Sequence, residues 1–165
     1  MELDRPLLRH CLKDLKTIDF ELAYLAALTA EGIKPLSRWE KPLTDQPIQL
    51  LGDLGLLTRK ITRTVKTGKQ VQETIFAASA PYLDFYEKRF DGKPVDKSPQ
   101  TQLFEGFLFG YPPCCIARYI RRPYAPNNLD PKDQKILFHW ACRDCKITPF
   151  LLTAYKTTHD LLARC

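Results

Sequence analysis

Four cysteines in the second half of the chain constrain what it can fold into. Cys114 and Cys115 are adjacent, and Cys142 and Cys145 follow in a second segment. Two thiol pairs in one short span indicate a metal site, a redox site or a disulfide staple, and each requires the two segments to meet in space. Packing of small apolar side chains in a core is the fourth interpretation. The cysteines therefore constrain the fold before they constrain the chemistry.

Composition restricts the class of protein. The 165 residues are 44% hydrophobic and 27% charged, which is ordinary for a globular chain with one compact domain or two small ones. No apolar run approaches the roughly 20 residues that span a bilayer, and the N-terminus lacks the pattern of a signal peptide. We therefore predict a cytoplasmic protein without membrane contact, in which cysteines stay reduced.

The net charge of +6 makes this a basic protein, and the excess of positive charge lies in the middle of the chain. A positive field attracts polyanions. We predict a surface for nucleic acid or another acidic partner, formed by one cluster in a hairpin and a second cluster further along the chain. Its residues are Arg59, Lys60, Arg63, Lys66, Lys69, Arg118, Arg121 and Arg122.

The first half of the chain predicts helices followed by a β-hairpin. Asp19 is a typical N-cap for a helix of closely spaced apolar residues that ends at Gly32. Prolines then leave room only for short helices, such as one over residues 45–51. Residues 58–77 alternate apolar and polar side chains, which is typical of two paired strands.

The turn of this hairpin follows from the parity of its apolar positions. A two-residue turn would place Val65 and Val71 on opposite faces of the sheet. An odd-length loop places both of them on one face together with Ile61 and Ile75, so we predict a loop of residues 67–69. In that register Val65 lies opposite Val71, and Ile61 lies opposite Ile75.

The second half of the chain predicts a helical bundle. Ser98, Asp130 and Thr148 each precede a proline. Such a pair marks a helix start, because the side chain can cap the helix and the first helical position does not need the N–H that proline lacks. The predicted helices span residues 81–90, 99–109, 113–122, 131–145 and 149–163.

Together these elements predict an α+β protein. Residues 1–79, with N-terminal helices and the basic hairpin, pack on a mainly helical region of residues 80–165 that carries the cysteines. A helical unit, a Leu-Gly-Leu-Leu turn and a basic hairpin follow one another over residues 18–77. This order resembles the winged-helix family, and the resemblance implies that the hairpin is the wing.

The position of Cys114 and Cys115 favours a reactive thiolate. Pro112 and Pro113 separate two predicted helices, so both cysteines fall in the first turn of the second one. Free backbone N–H groups and the positive end of the helix dipole lower the pKa of a thiol at that position. Either cysteine is therefore a candidate catalytic nucleophile as well as a metal ligand.

The second cysteine pair forms part of a stripe along the predicted 131–145 helix. His139, Cys142 and Cys145 follow one another in steps of three residues. Zinc takes about four N or S ligands in a tetrahedron, and two nearby cysteines are its usual clip. Adjacent cysteines diverge on a helix, which argues against both of them binding one ion. The candidate metal ligands are Cys114, Cys115, Cys142, Cys145, His139 and His159.

Three functions follow from these patterns and stay open at the level of sequence. The first is a metal-binding protein, with zinc as the first choice of ion and an iron–sulfur cluster as the second. The second is a thiol–disulfide enzyme that uses Cys114 or Cys115. The third is a nucleic-acid-binding regulator in which the cysteines are only structural.

Two segments also resemble a known family. Residues 110–115, Gly-Tyr-Pro-Pro-Cys-Cys, are followed by a His-x-x-Cys-x-x-Cys segment at 139–145 and a helix that begins near a threonine. This pattern is similar to the prokaryotic proteins of domain-of-unknown-function family 483, over about residues 98–160 and a Gly-Ile-Lys-Pro element at 32–35. That family has no established activity, so the resemblance implies a common fold and a common cysteine site rather than a reaction.

Overall fold

A computed structural model describes residues 6–165 of the chain, with side chains from Leu8 onward. The described part contains eight helices and three strands, which confirms the α+β class. The helices are α1 (Pro6–Ile18), α2 (Phe20–Ala30), α3 (Asp45–Asp53), α4 (Ala80–Phe90), α5 (Pro99–Leu108), α6 (Pro113–Arg121), α7 (Pro131–Ile136) and α8 (Thr148–Arg164). The strands are β1 (Ser37–Trp39), β2 (Leu57–Thr64) and β3 (Gln70–Ala77).

The strands form one antiparallel sheet in the order β1–β3–β2, and helices cover both of its faces. Successive side chains of a strand point to opposite faces. Phe76 therefore packs into a first core with α1, α2, α3 and α8, whereas Ile75 packs into a second core against α4 and α5. Ile61 of β2 belongs to the second core as well.

The first core draws apolar side chains from both ends of the described chain. Leu22 of α2 and Leu51 of α3 pack in one cluster with Tyr155 and Leu162 of α8. The ammonium group of Lys16 on α1 donates a hydrogen bond of 2.9 Å to the carbonyl of Leu162. Helices α1 and α2 thus depend on a helix that lies far away in sequence. The division into two units at residue 79 stays a prediction.

The hairpin has the predicted parity but a register shifted by two residues. Ile61 lies opposite Glu73, and the loop is residues 66–68, closed by a 2.9 Å hydrogen bond from the N–H of Val65 to the carbonyl of Lys69. The predicted loop of residues 67–69 is therefore wrong. Gly68 explains the difference, because a three-residue loop ends with a left-handed residue and Gly68 has φ +80°.

Most of the predicted helix starts are confirmed. The Asp19 carboxylate accepts hydrogen bonds from the N–H groups of Glu21 and Leu22, as an N-cap does. Ser98 and Asp130 cap α5 and α7 in the same way. Thr148 is different, because it is the first residue of α8 and makes no cap hydrogen bond.

The predicted helix over residues 131–145 is wrong, because α7 ends at Ile136 and residues 137–147 are irregular. The Gln134 side chain binds this segment: its Oε1 accepts from the N–H of Ala141, and its Nε2 donates to the carbonyl of His139. The amide of Asn127 donates to the carbonyl of Ala141. Side-chain amides therefore satisfy backbone groups that a longer helix would have paired internally.

The segment before α6 is fixed by a close contact with the first half of the chain. Gly110 has φ +73°, and a Cβ atom built on it would lie 2.7 Å from Cδ of Pro35. Only glycine fits that conformation and that space. The Gly-Ile-Lys-Pro element at 32–35 thus packs against the Gly-Tyr-Pro-Pro segment that leads into the cysteines.

The N-terminal half has helices, a short strand, helix α3 and then the hairpin. In a winged-helix domain, the helix before the hairpin would enter the DNA groove. Helix α3 begins with Asp45 and ends with Asp53, and it carries no basic residue. The winged-helix resemblance stays a prediction about the arrangement of elements, and α3 lacks the charge for contact with phosphates.

Candidate metal centre

The sulfur atoms of Cys114, Cys115, Cys142 and Cys145 all lie within 4.8 Å of one another. The Sγ atoms of Cys114 and Cys145 are 3.5 Å apart. The first pair lies in the first turn of α6, and the second pair lies in the irregular segment before α8. The prediction that these two segments meet in space is confirmed.

Helix α6 presents both of its cysteines to the group. Pro113 is its first residue, Cys114 is exposed and Cys115 is buried. Because neighbouring side chains on a helix diverge, the sequence predicts that Cys114 and Cys115 do not both reach one metal site. The expectation fails because Cys142 and Cys145 lie against this turn of α6, so that all four sulfurs share one small volume.

A tight turn, rather than a helical stripe, places the second pair. The N–H of Cys145 donates to the carbonyl of Cys142 at 3.3 Å. The N–H of Cys142 donates in turn to the sulfur of Cys115, also at 3.3 Å. A backbone N–H that donates to sulfur stabilises the thiolate form, as at other sites where backbone donors hold an anion.

Thr148, at the start of α8, is the main polar neighbour of the sulfurs. Its backbone N–H and its hydroxyl donate to the sulfur of Cys145, at 3.2 and 3.1 Å. The sequence pattern of threonine before proline suggested only a helix cap. The hydroxyl therefore has a different partner from the one predicted, and it connects α8 to the sulfur group.

The thiol with the lowest pKa is not at the start of α6. Burial raises the pKa of Cys114 to about 11, with neighbouring Cys145 and Cys142 adding to the effect, and burial also raises the pKa of Cys115. Burial opposes ionisation of Cys145 too, but the hydrogen bonds from Thr148 outweigh it and lower its pKa to about 7. The predicted low pKa at the helix start is wrong.

The pKa values of Cys114 and Cys115 are not lowered because backbone N–H groups at the start of α6 already have another partner. The N–H groups of Cys115 and Ile116 both donate to the carbonyl of Pro112, at 2.9 and 3.1 Å. These two donors are therefore not directed at the α6 sulfurs. Burial then dominates the pKa values of both cysteines on this helix.

His139 lies next to the sulfur group but outside it. Its Nε2 lies 3.1 Å from the hydroxyl oxygen of Thr148. Because that hydroxyl gives its proton to Cys145, its oxygen accepts from Nε2–H of the histidine. Burial, with the charge of Lys34 adding to it, lowers the pKa of His139 to about 4, so the ring is neutral. His139 therefore orients Thr148.

His159 packs against aromatic rings and lies outside the group of candidate metal ligands. Its ring contacts Phe20 and Tyr24, each with 5.4 Å between ring centroids, and its Nδ1 lies 3.8 Å from a carboxylate oxygen of Asp160. Across residues 6–165, the close group of candidate ligands consists of the four cysteines. The structure brings neither predicted histidine into that group.

The predicted basic surface is divided between buried and exposed residues. Arg63 is only 2% exposed and lies 3.1 Å from Glu105, so it is not part of a surface. Arg59 forms ion pairs with Asp84 and Glu87. The residues that remain exposed are Lys60, Lys66, Lys69, Arg118, Arg121 and Arg122.

One buried cation, Lys34, is absent from the candidate functional residues that the sequence predicts. Lys34 is 2% exposed, donates to the carbonyl of Phe109 at 2.9 Å, and lies over the rings of Phe109, Tyr111 and Phe138. Burial lowers its pKa to about 7. The Gly-Ile-Lys-Pro resemblance was the one signal in the sequence that pointed to this position.

Within the described residues, no helix has the length and apolar character needed to cross a bilayer. Searches of family models, of curated proteins and of solved structures found no match to this chain.

Proposed function

We propose that this protein binds one zinc ion through Cys114, Cys115, Cys142 and Cys145. The observation that carries the proposal is the spacing of the four sulfurs, all within 4.8 Å of one another. Thiolates about 2.3 Å from a tetrahedral zinc lie about 3.8 Å from one another, so small shifts of these side chains suffice. The pKa of about 7 for Cys145 favours the thiolate that a metal needs.

The same spacing favours a single ion over a cluster. A cluster of several irons binds its four thiolates through different metal atoms and so needs them further apart. Four protein ligands leave no open position on zinc, which is typical of a structural site. The ion would therefore join the start of α6 to the turn before α8, where regular backbone hydrogen bonds are few.

Elemental analysis tests this proposal. Protein purified without added metal should contain about one equivalent of zinc, and less than about half an equivalent would contradict the proposal. Cys142→Ser should lose the ion because it removes one of four ligands. Cys165→Ser is the matched control, since Cys165 lies outside the sulfur group and should not affect the zinc content.

One contact favours a second candidate function, a thiol–disulfide protein. Cys114 is exposed, and its sulfur lies 3.5 Å from that of Cys145. An added dithiol–disulfide couple would take two electrons and two protons from these thiols as the S–S bond forms. Mass spectrometry after alkylation distinguishes the two functions: zinc protects all four thiols until it is chelated, whereas a redox pair is oxidised without metal.

We also propose that an acidic partner, with nucleic acid as the first choice, contacts α6 rather than the hairpin. Arg118, Arg121 and Arg122 are exposed, and none of them forms an ion pair with another described residue. The hairpin keeps Lys60, Lys66 and Lys69 exposed, but both of its arginines have other partners: Arg63 is buried beside Glu105, and Arg59 forms ion pairs with Asp84 and Glu87. Binding should weaken as salt concentration rises, and binding that is independent of salt would contradict this proposal.

Membership in domain-of-unknown-function family 483 is part of the same proposal. Its support is the contact between Gly110 and Pro35, because this contact joins the two segments on which the resemblance depends. Substituting both cysteine pairs in an undisputed member of that family, followed by zinc analysis, would test for a common site.

A further inference from the structure

A cavity lies beside the cysteine centre. Its volume is about 570 Å³, which is within the range of small-ligand sites. Cys115 and His139 form part of its wall on the side of the sulfur group. Its aromatic lining residues are Phe109, Tyr111, Tyr119, Tyr124, Phe138 and Trp140.

Tyr124 is the most exposed aromatic residue in this wall. It is 66% exposed, and its ring makes edge contacts with those of Tyr119 and Trp140, at 5.2 and 5.4 Å between centroids. Its backbone has φ +55°, a left-handed conformation that is unfavourable for a non-glycine residue. Such strain is concentrated at functional sites. Here it holds an exposed ring in the cavity wall.

Positive charge borders the cavity. Lys135 lines it and is exposed. On α6, Arg118 precedes the lining residue Tyr119, and Arg122 is the first residue after the end of the helix, three positions beyond Tyr119. These three cations form no ion pair with another described residue. Arg121 is two residues from Tyr119, about 160° around the helix axis, so it faces away from the cavity.

We infer that the cavity binds one base of a single-stranded nucleic acid whose phosphates contact Arg118, Arg122 and Lys135. Aromatic rings stack on bases of any sequence. A base in a duplex must first be unpaired and unstacked before it can enter a cavity, so a single strand is the favoured ligand. This inference rests on the acidic-partner surface proposed for α6, and it does not depend on the identity of the metal.

Two labelled strands of about 12 nucleotides test the inference by fluorescence anisotropy. One is oligodeoxyadenylate, and the other is an abasic strand of the same length and phosphate charge. The strand with bases should bind at least about tenfold more tightly, because stacking is available only to it. Tyr124→Ala should reduce this ratio towards one, and Tyr124→Phe should preserve it. Lys88→Ala, which removes an exposed cation on α4 outside the cavity lining, is the matched control for charge loss.

The outcomes separate this inference from the proposal on which it rests. Equal binding of the two strands would overturn base insertion but keep the basic surface. Failure of both strands to bind would overturn both. If adenosine monophosphate competes as strongly as the oligonucleotide, the cavity is a site for a free nucleotide, and the single-strand inference is wrong. A fold control by circular dichroism accompanies each variant.

Discussion

The protein contains two polar clusters that differ in how charge is balanced. Between the sheet and helices α4 and α5, Arg38 and Arg63 lie among Glu73, Tyr86 and Glu105. Positive and negative groups there neutralise one another. In the cysteine centre, the described hydrogen bonds of the four sulfurs within residues 6–165 join them to thiols, backbone N–H groups and the Thr148 hydroxyl, and none of them comes from a charged side chain.

The contrast indicates which cluster needs something from outside the chain. A buried charge is stable when an opposite charge lies beside it, and it is otherwise lost by a shift in pKa. The Arg–Glu cluster meets that condition with its own side chains. In the sulfur group, hydrogen bonds from Thr148 favour one thiolate, at Cys145, and ionisation of all four thiols needs a cation beside them, which is the physical basis for proposing zinc.

Removing the metal is the strongest test of this comparison and should give the largest effect. A tight chelator should lower the free energy of unfolding by about 5 kcal/mol or more, because structural zinc contributes its binding energy to folding. Urea unfolding with and without chelator measures the change. Hydrogen exchange should increase first in residues 137–147 and α6, and an unchanged unfolding curve would show that the sulfur group needs no ion.

Breaking the Arg–Glu cluster should be the next largest effect. Arg63→Met leaves Glu73 and Glu105 with one cation fewer, and removal of one partner of a buried pair costs about 3–5 kcal/mol. Thermal and urea unfolding measure the loss. The control is Arg63→Met combined with Glu73→Gln, which restores the charge balance and should recover part of the stability. Equal stability of the two variants would contradict the idea of a self-neutralised cluster.

Lys34 is a buried cation of a third kind. Its contacts described above are with a carbonyl and aromatic rings, and none of them is with a carboxylate. Burial lowers its pKa from 10.5 to about 7, so the unfolded chain binds more protons than the folded one between these values. Stability should therefore rise with pH from about 7 towards 10.5, by about 2 kcal/mol within the first two units. In Lys34→Met this part of the rise should be absent, and equal pH profiles for the two proteins would show that Lys34 stays charged.

We expect the smallest effect from substituting Thr148, the polar neighbour of the sulfurs. Thr148→Val removes the hydroxyl that donates to Cys145 and accepts from His139. Loss of such a second-layer hydrogen bond should weaken zinc binding about tenfold. Competition with a chromophoric chelator measures the affinity. Thr148→Ser keeps the hydroxyl and should bind as the natural protein does. A loss of affinity in Thr148→Ser without a loss in Thr148→Val would mean that the methyl group matters and the hydroxyl does not.

Local signals in the sequence predicted much of the fold. Asp19, Ser98 and Asp130 cap helices as expected, because a cap depends on residues a few positions away. The parity of the hairpin was correct for the same reason. The meeting of the two cysteine segments was also correct, since any shared chemistry of the thiols required it.

The errors arose where distant residues decide the outcome. Residues 131–145 have a helical pattern, yet Gln134 and Asn127 satisfy the backbone beyond Ile136 and end the helix early. Arg63 looked like a surface cation because its partner Glu105 lies 42 residues away. The low pKa of Cys145 depends on Thr148, whose hydroxyl had been expected to cap a helix.

The packing of α8 against α1 and α2 has a consequence for biosynthesis. On the ribosome, the N-terminal helices emerge long before residues 148–164, so the part of their apolar surface that packs on α8 lacks a partner while most of the chain is being made. Exposed apolar surface of this kind attracts chaperones and promotes aggregation. The first core can therefore close only after the last helix has been translated.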